Sequence, residues 1–289
     1  MVIAVVGATG QLGSELLSLW GDRAVGLTRD QLDLADPATV EAALEATGAR
    51  VVVNAAAYNQ VDLAESEPAA AMEVNSQGPR RLARWCASRE IRLVHVSSDF
   101  VFGVDSSRNL PYTESDETGP LGAYAVSKLG GELHVRSGCP DHLVVRTCGL
   151  YGHAARRRER GGNFVETMLR LAAGGGPLKV VDDQRCTPTS TVVLAAAIDA
   201  LIESGSTGLY HATCSGSTTW CGFAREIFER SGLDVEVEGI TTAEFGAAAA
   251  RPGYSVLDCS RLVRDTGYSP PDWQDALTRY LATRDATAE

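Results

Sequence analysis

The chain has no stretch approaching the roughly 18 uninterrupted apolar residues of a membrane-spanning helix, and no membrane association is expected. Its first residues, MVIAVVGATGQLG, lack the basic region and small-residue cleavage pattern of a signal peptide, so the apolar run reads as a buried strand. Positive charge is also in short supply: 26 Lys and Arg against 37 Asp and Glu leave a net charge of −11, which offers no general basic surface to nucleic acid. The seven cysteines are odd in number and include no C-x-x-C pair. A disulfide framework is therefore not expected, and free thiols in a reducing cytoplasm are. The five histidines are dispersed, so no metal centre is expected. No internal repeat is evident.

What is present is ordinary globular composition, 44% hydrophobic and 22% charged, in a chain of 289 residues that has room for a substantial core. Short apolar runs (VIAVV, AVGL, VVVNAAA, IRLVHVS and HLVVRT) suit strands buried on both faces of a parallel sheet. Between them lie helical patterns: Leu12, Leu16 and Leu19, then Val40, Ala43 and Leu44 behind the starter Asp36-Pro37. The alternation predicts an α/β fold with a doubly wound parallel sheet. After about residue 150 the rhythm changes. GHAARRRERGG is followed by a helix near NFVETMLRLAA, a strand LKVV, a helix over 190–203, GLYHAT, a helix near 219–231, VEVEGI and a final helix from Asp272. The expected division is a dinucleotide-binding domain over 1–150, to which later segments return, and a smaller interleaved α/β domain, mainly substrate-binding, over 151–289. The Ala run at 247–250 reads as helical or frayed surface.

Five stretches carry chemistry. In GATGQLG, Gly7, Gly10 and Gly13 stand between a strand and an amphipathic helix. They allow a tight turn, close approach of backbone to a pyrophosphate, and helix–sheet packing, while N–H groups around Gln11 and Leu12 face the phosphates. In LTRDQLDL, Arg29 at the end of the second strand either accommodates the 2′-phosphate of NADPH or is a solvated loop charge, with Asp33 and Leu34 near the adenine. In VVVNAAAYNQ, the small residues Ala55, Ala56 and Ala57 let a flat cofactor lie on the backbone, or else serve tight strand-to-helix packing. VHVSSDFVFG ends a strand in hydroxyls, suited to a donor aimed at a substrate oxygen or to a serine cap. Finally, GAYAVSKLGGE sets Tyr124 and Lys128 one turn apart on one helix face, where both can reach one site. With Ser98 they complete a Ser, Tyr, Lys set. A tyrosine with a pKa of about 10 exchanges protons poorly at neutral pH, and a nearby ammonium favours its phenolate, so Lys128 is expected to tune Tyr124.

The pieces GATGQLG, VNAAAYNQVDLAE, VNSQGP, SSDFVFG, YAVSKLGGE, RTCGLYG, GNFVETMLRLA, VVDDQRCTPT and RPGYSVLDCSRL resemble the dTDP-4-dehydrorhamnose reductase family of extended short-chain dehydrogenase/reductases, nearly end to end. The resemblance implies a Rossmann-like fold and NADPH, or alternatively NADH, as cofactor, with Tyr58 and Asn75 joining the cofactor set and Lys128 holding the nicotinamide ribose. It implies a dTDP-4-keto-6-deoxy sugar as substrate, reduced at C4, most simply dTDP-4-dehydro-L-rhamnose. Ser98 would hold the carbonyl oxygen and Asp99 would touch the sugar. Asn163, Gln184 and Thr189 would lie on the nucleotide side, the arginines of ARRRERGG could meet the diphosphate or be solvated, and the assembly would be a homodimer.

Two departures stand out. SSDFVFG replaces a family Thr by Ser98, which keeps the hydroxyl, and a Tyr by Phe100. RTCGLYG places Gly149 where many relatives carry a Trp against the sugar, giving up a large apolar surface. A reductase for another activated deoxysugar is therefore a competing reading. So is a non-catalytic NADP-binding module like the regulatory subunit of methionine adenosyltransferase, although retention of Ser98, Tyr124 and Lys128 favours an enzyme.

Overall fold

The computed structural model of the chain describes residues 1–157 and 162–284, with residues 156 and 157 as backbone only. Its first strand, β1 (Ile3–Val6), runs into α1 (Gln11–Trp20) and returns through β2 (Ala24–Leu27). α2 (Pro37–Glu45) starts as its sequence predicts: the Asp36 carboxylate accepts the Ala38 N–H, and Pro37 occupies the first turn, where its missing N–H is no loss. β3 (Val51–Asn54) follows, then the short helices α3 (Leu63–Ser66) and α4 (Pro68–Met72), a π-helical turn over Glu73–Gln77, and α5 (Gly78–Ser88). β4 (Arg92–Ser98), α6 (Ala123–Gly138) and β5 (His142–Thr147) complete the first 150 residues.

All five strands are parallel and lie in the order 2-1-3-4-5. Strand alternation divides the core cleanly. Ile3, Val5, Val51, Val53, Val94, Leu143 and Val145 face one side, and Ala4, Val6, Val52, Leu93 and Val144 the other. The second face is covered by α2, α5 and α6 through Leu44, Leu82 and Val135. On α1 the buried stripe is Leu12, Leu16 and Trp20, whereas Leu19 is exposed. A spacing of four continues the face that a spacing of three leaves.

Beyond residue 150 the chain builds a second core and then comes back. The elements are β6 (Leu150–Tyr151), α7 (Phe164–Ala172), β7 (Leu178–Val181), β8 (Arg185–Cys186), β9 (Thr189–Ser190), α8 (Thr191–Glu203), β10 (Gly208–His211), β11 (Thr218–Thr219), α9 (Trp220–Arg230), β12 (Val237–Ile240), α10 (Thr242–Phe245), α11 (Ser260–Thr266) and α12 (Trp273–Arg284). β10 pairs in parallel with β5 as the sixth strand, and Leu194, Ile198 and Leu201 of α8 pack with α1 on the first face. The return is thus explicit in the topology. The remaining segments enclose a separate core of Tyr151, Val165, Phe223, Ile227, Trp273 and Leu277. The 247–250 run is not helical: Ala249 is buried and its N–H is held by Asp62, which also pairs with Arg251. Among the described residues no helix is long and apolar enough to cross a membrane.

The order 2-1-3 makes the chain leave β1 to one side and resume at β3 on the other, which opens a crevice at the carboxyl ends of those two strands. Backbones crowd there. A Cβ on Gly7, which has φ +85°, would lie 2.9 Å from Ala56 N, and one on Gly13 would lie 2.1 Å from the Gly7 carbonyl oxygen. The clash at position 13 is with backbone, which cannot swing aside. Gly13→Ala is therefore expected to destabilise the fold by about 1–3 kcal/mol or more, read as a lower urea midpoint. An unchanged midpoint would show that α1 does not sit this close.

Candidate active site

The crevice is lined by glycine backbone and small alanine side chains. Gly10 caps α1 without a side chain, so the first helical N–H groups, from Gln11 onward, have no intrahelical partner and point into the turn. Across it, Ala55 N–H bonds the Val6 carbonyl and Ala56 N–H bonds Asn54 Oδ1, leaving the run Ala55–Ala57 as a low, small-residue shelf. Asn75 is buried and holds that shelf from beneath: it accepts the Tyr58 N–H and donates to the Tyr58 carbonyl and to Ser127 Oγ. At the end of β2, Arg29 is 81% exposed and paired with Asp33 at 3.2 Å. Asp33 also accepts the Ala35 N–H, and that bond chiefly holds its carboxyl below the usual range. Leu34 differs from expectation. Its side chain is in the core against Gly78, so only its backbone could meet an adenine.

The residues expected to be catalytic come from the end of β4 and the start of α6. Ser98 ends β4, accepts the Phe100 N–H and donates to Asp99 Oδ1 at 3.1 Å. Phe100 meets the Tyr124 ring edge-on at 5.8 Å, which sets Tyr124 beside the end of β4. The aromatic contact thus survives the Tyr-to-Phe departure. Asp99 is 2% exposed and is the meeting point of three segments: Ser98, the Cys148 thiol after β5, and Ser255, which donates to Oδ2 at 2.5 Å. Burial raises its pKa, against the opposing pull of these bonds.

Tyr124 and Lys128 share one face of α6, as their spacing predicts, but their charges are not set as expected. Tyr124 is half-buried. Desolvation pushes the phenol up to about 12, the Ser98 hydroxyl opposes this and the Asp99 charge reinforces it. Lys128 is buried, donates to the Val96 carbonyl at 2.7 Å, and is pulled down to about 8 by desolvation, with Glu132 opposing. The expected lowering of the phenol by the lysine is overridden, because low polarity disfavours both charged forms at once. Tyr124 stands as a neutral proton donor at neutral pH.

The three residues expected on the nucleotide side are all buried and internally bonded. Asn163 caps α7 by accepting the Glu166 N–H and donates to Gln11 Oε1, the Gly152 carbonyl and Tyr280 Oη. Gln184 donates to Thr242 Oγ1, and Thr189, with no exposed surface, donates to the Thr187 carbonyl. They hold the second lobe together. The arginine side chains of ARRRERGG lie outside the described residues. Gly149 has φ +53°, and a Cβ there would lie 3.3 Å from both Pro188 Cα and the Trp220 ring, so an indole already occupies the neighbourhood that this glycine leaves open. Among the described residues no group of His, Cys, Asp or Glu is arranged to hold a metal.

Several members of the site escaped the sequence reading. Glu132 follows Lys128 by four residues, a spacing that could have revealed it, and forms a buried two-point ion pair with Arg146. Ser255, Cys148 and Trp220 arrive from distant segments and carry no local signal.

Because Lys128 has its pKa below the ordinary 10.5, its buried ammonium disfavours folding below about pH 8, and this penalty is relieved as pH rises towards 10.5. The unfolding free energy of the wild-type chain, measured relative to Lys128→Met, should therefore rise by up to about 3 kcal/mol across that window. A pH-independent difference would mean that the ammonium is not desolvated.

Comparison with known proteins agrees with this geometry. The sequence profile described as the RmlD substrate binding domain matches residues 1–285. A dTDP-4-dehydrorhamnose reductase of Mycobacterium tuberculosis H37Rv is 42% identical over 97% of this chain and 92% of that protein. A dTDP-4-keto-6-deoxy-D-glucose reductase of Streptomyces niveus is 38% identical over 95% and 94%. The crystal structure of dTDP-4-dehydrorhamnose reductase from Bacillus anthracis in complex with NADP superimposes with a TM-score of 0.91, at 33% identity, over 98% of this chain and 99% of that one.

Proposed function

The chain belongs to the RmlD substrate binding domain family, and on that premise we propose that it reduces the C4 ketone of a dTDP-4-keto-6-deoxy sugar with NADPH, most simply converting dTDP-4-dehydro-L-rhamnose to dTDP-L-rhamnose. The observation that supports this most is the placing of Tyr124 and Lys128, on one face of α6, against the end of β4 that carries Ser98, beside a crevice of glycine and alanine. Reduced nicotinamide, when bound, supplies hydride to the ketone carbon. Ser98 orients the carbonyl oxygen, and Tyr124, neutral at working pH, gives it the proton. Lys128 holds the nicotinamide ribose. Asp99 acts by fixing the Ser98 rotamer from a buried position, and Asn163, Gln184 and Thr189 support the sugar nucleotide through the frame they build. Gly7, Gly10, Gln11, Leu12 and Gly13 receive the pyrophosphate, and Ala55–Ala57, Tyr58 and Asn75 form the cofactor shelf. In this reading residues 1–150, with α8 and β10 returning, bind the dinucleotide, and 151–289 mainly bind the sugar nucleotide. A cytoplasmic homodimer belongs to the same proposal.

The test is incubation of the purified protein with dTDP-4-dehydrorhamnose and NADPH or NADH, following nicotinamide absorbance and identifying the sugar formed. Turnover is expected, and Tyr124→Phe should lower kcat about a hundredfold or more. Failure with both cofactors would refute the reading.

A second substrate is favoured by Gly149 and its Trp220 neighbour, which give the sugar pocket a different wall, and by the keto-deoxyglucose reductase among the relatives. The same assay with dTDP-4-keto-6-deoxy-D-glucose decides between them by kcat/KM. Arg29 is assigned to the 2′-phosphate. Arg29→Ala should raise KM for NADPH about tenfold and leave KM for NADH unchanged; an equal effect on both would assign Arg29 to the solvated loop instead.

A further inference from the structure

Gln11 occupies two places at once. Its backbone is the first turn of α1, where the N–H groups lack intrahelical partners and an anion would sit. Its side chain reaches across 141 residues of sequence to the other lobe. Oε1 accepts the Gly152 N–H at 2.8 Å and the Asn163 Nδ2 donor at 3.0 Å. Asn163 is in turn buried and committed, since its Oδ1 caps α7 through the Glu166 N–H at 2.9 Å and its Nδ2 also faces the Gly152 carbonyl at 3.1 Å. One side-chain oxygen therefore ties the phosphate-facing turn of the first lobe to the entry of α7 in the second.

We propose that Gln11 couples the two ligand sites, so that a dinucleotide pyrophosphate ordering the backbone at Gln11 also holds Gly152 and Asn163 in the arrangement that receives the sugar nucleotide. This rests on the function proposed above. An anion on the α1 turn restrains the residue whose side chain must stay in place for both donors. The second ligand then meets a lobe entry already ordered and loses less conformational freedom on binding. Linkage requires the effect to be reciprocal: each ligand raises the affinity for the other by the same factor.

The experiment is calorimetric titration of dTDP into the protein alone and into the protein saturated with NADP⁺, with the converse titration as a check. For the wild-type chain the two dTDP affinities should differ by about fivefold or more, tighter with NADP⁺. Gln11→Met keeps length and removes the acceptor. Asn163→Asp keeps an oxygen to cap α7 and replaces the donor facing Gln11 by a second acceptor. In both variants the ratio of the two dTDP affinities should fall towards one, whatever change the substitution makes to either affinity by itself. A ratio of one in the wild-type chain, or a ratio that survives either substitution, overturns the coupling. Failure of the wild-type chain to bind either ligand would instead refute the function on which it rests.

Discussion

The seating of α6 on the sheet depends on one buried ion pair. Glu132 of α6 and Arg146 of β5 are both fully enclosed, and the guanidinium donates two hydrogen bonds to the carboxylate, at 2.9 and 2.7 Å. Two charges removed from water are tolerable only when they satisfy each other, and removing one partner from such a pair typically costs about 3–5 kcal/mol. The guanidinium is further covered by the Phe102 ring at 5.0 Å and approached by His211. That histidine is driven down to about 3 by burial and then by the Arg146 charge, so it adds no second cation. Below the pair, Gly131 lets α6 approach so closely that a Cβ would fall 2.2 Å from the Asn75 carbonyl oxygen. With the helix fixed in this way, Tyr124 and Lys128 have no freedom to drift from Ser98.

The same enclosure sets the chemistry. Desolvation moves both the half-buried phenol and the buried ammonium towards their neutral forms, one up to about 12 and the other down to about 8. Tyr124 thereby keeps its proton at neutral pH. Lys128 donates to the Val96 carbonyl, and the Glu132 charge opposes its downward shift. Asp99 stands between these groups and the second lobe, since it joins Ser98 to Ser255 and Cys148. It carries the position of the far segments to the reacting hydroxyl.

Much of this was legible in residue order. Five apolar runs became five parallel strands, and Asp36-Pro37 began a helix as its cap chemistry dictates. The glycines at 7, 10 and 13 marked the crevice, because a backbone that must approach another backbone admits no Cβ and that requirement is written in the residue itself. Less legible were contacts whose partners lie far apart along the chain. Leu34 looked like an adenine neighbour and is core, because its surroundings are set by α5 and not by its own loop. Asn163 and Thr189 are buried and bonded to backbone carbonyls, company that only the folded lobe supplies. Trp220 beside Gly149 joins positions 71 residues apart, and no pattern in either stretch announces it.

What the sequence by itself determined is everything governed by short range: the periods of strand and helix, the turns that need glycine, and the spacing that puts a phenol and an ammonium on one helical face. Tertiary structure alone decided the electrostatics of that face and the company of its members. A pKa depends on how much water a group keeps, and a hydrogen bond depends on which distant segment arrives opposite it. Both are properties of the assembled core, where desolvation shifts Tyr124 up and Lys128 down and where Gln11 and Asn163 meet from opposite lobes.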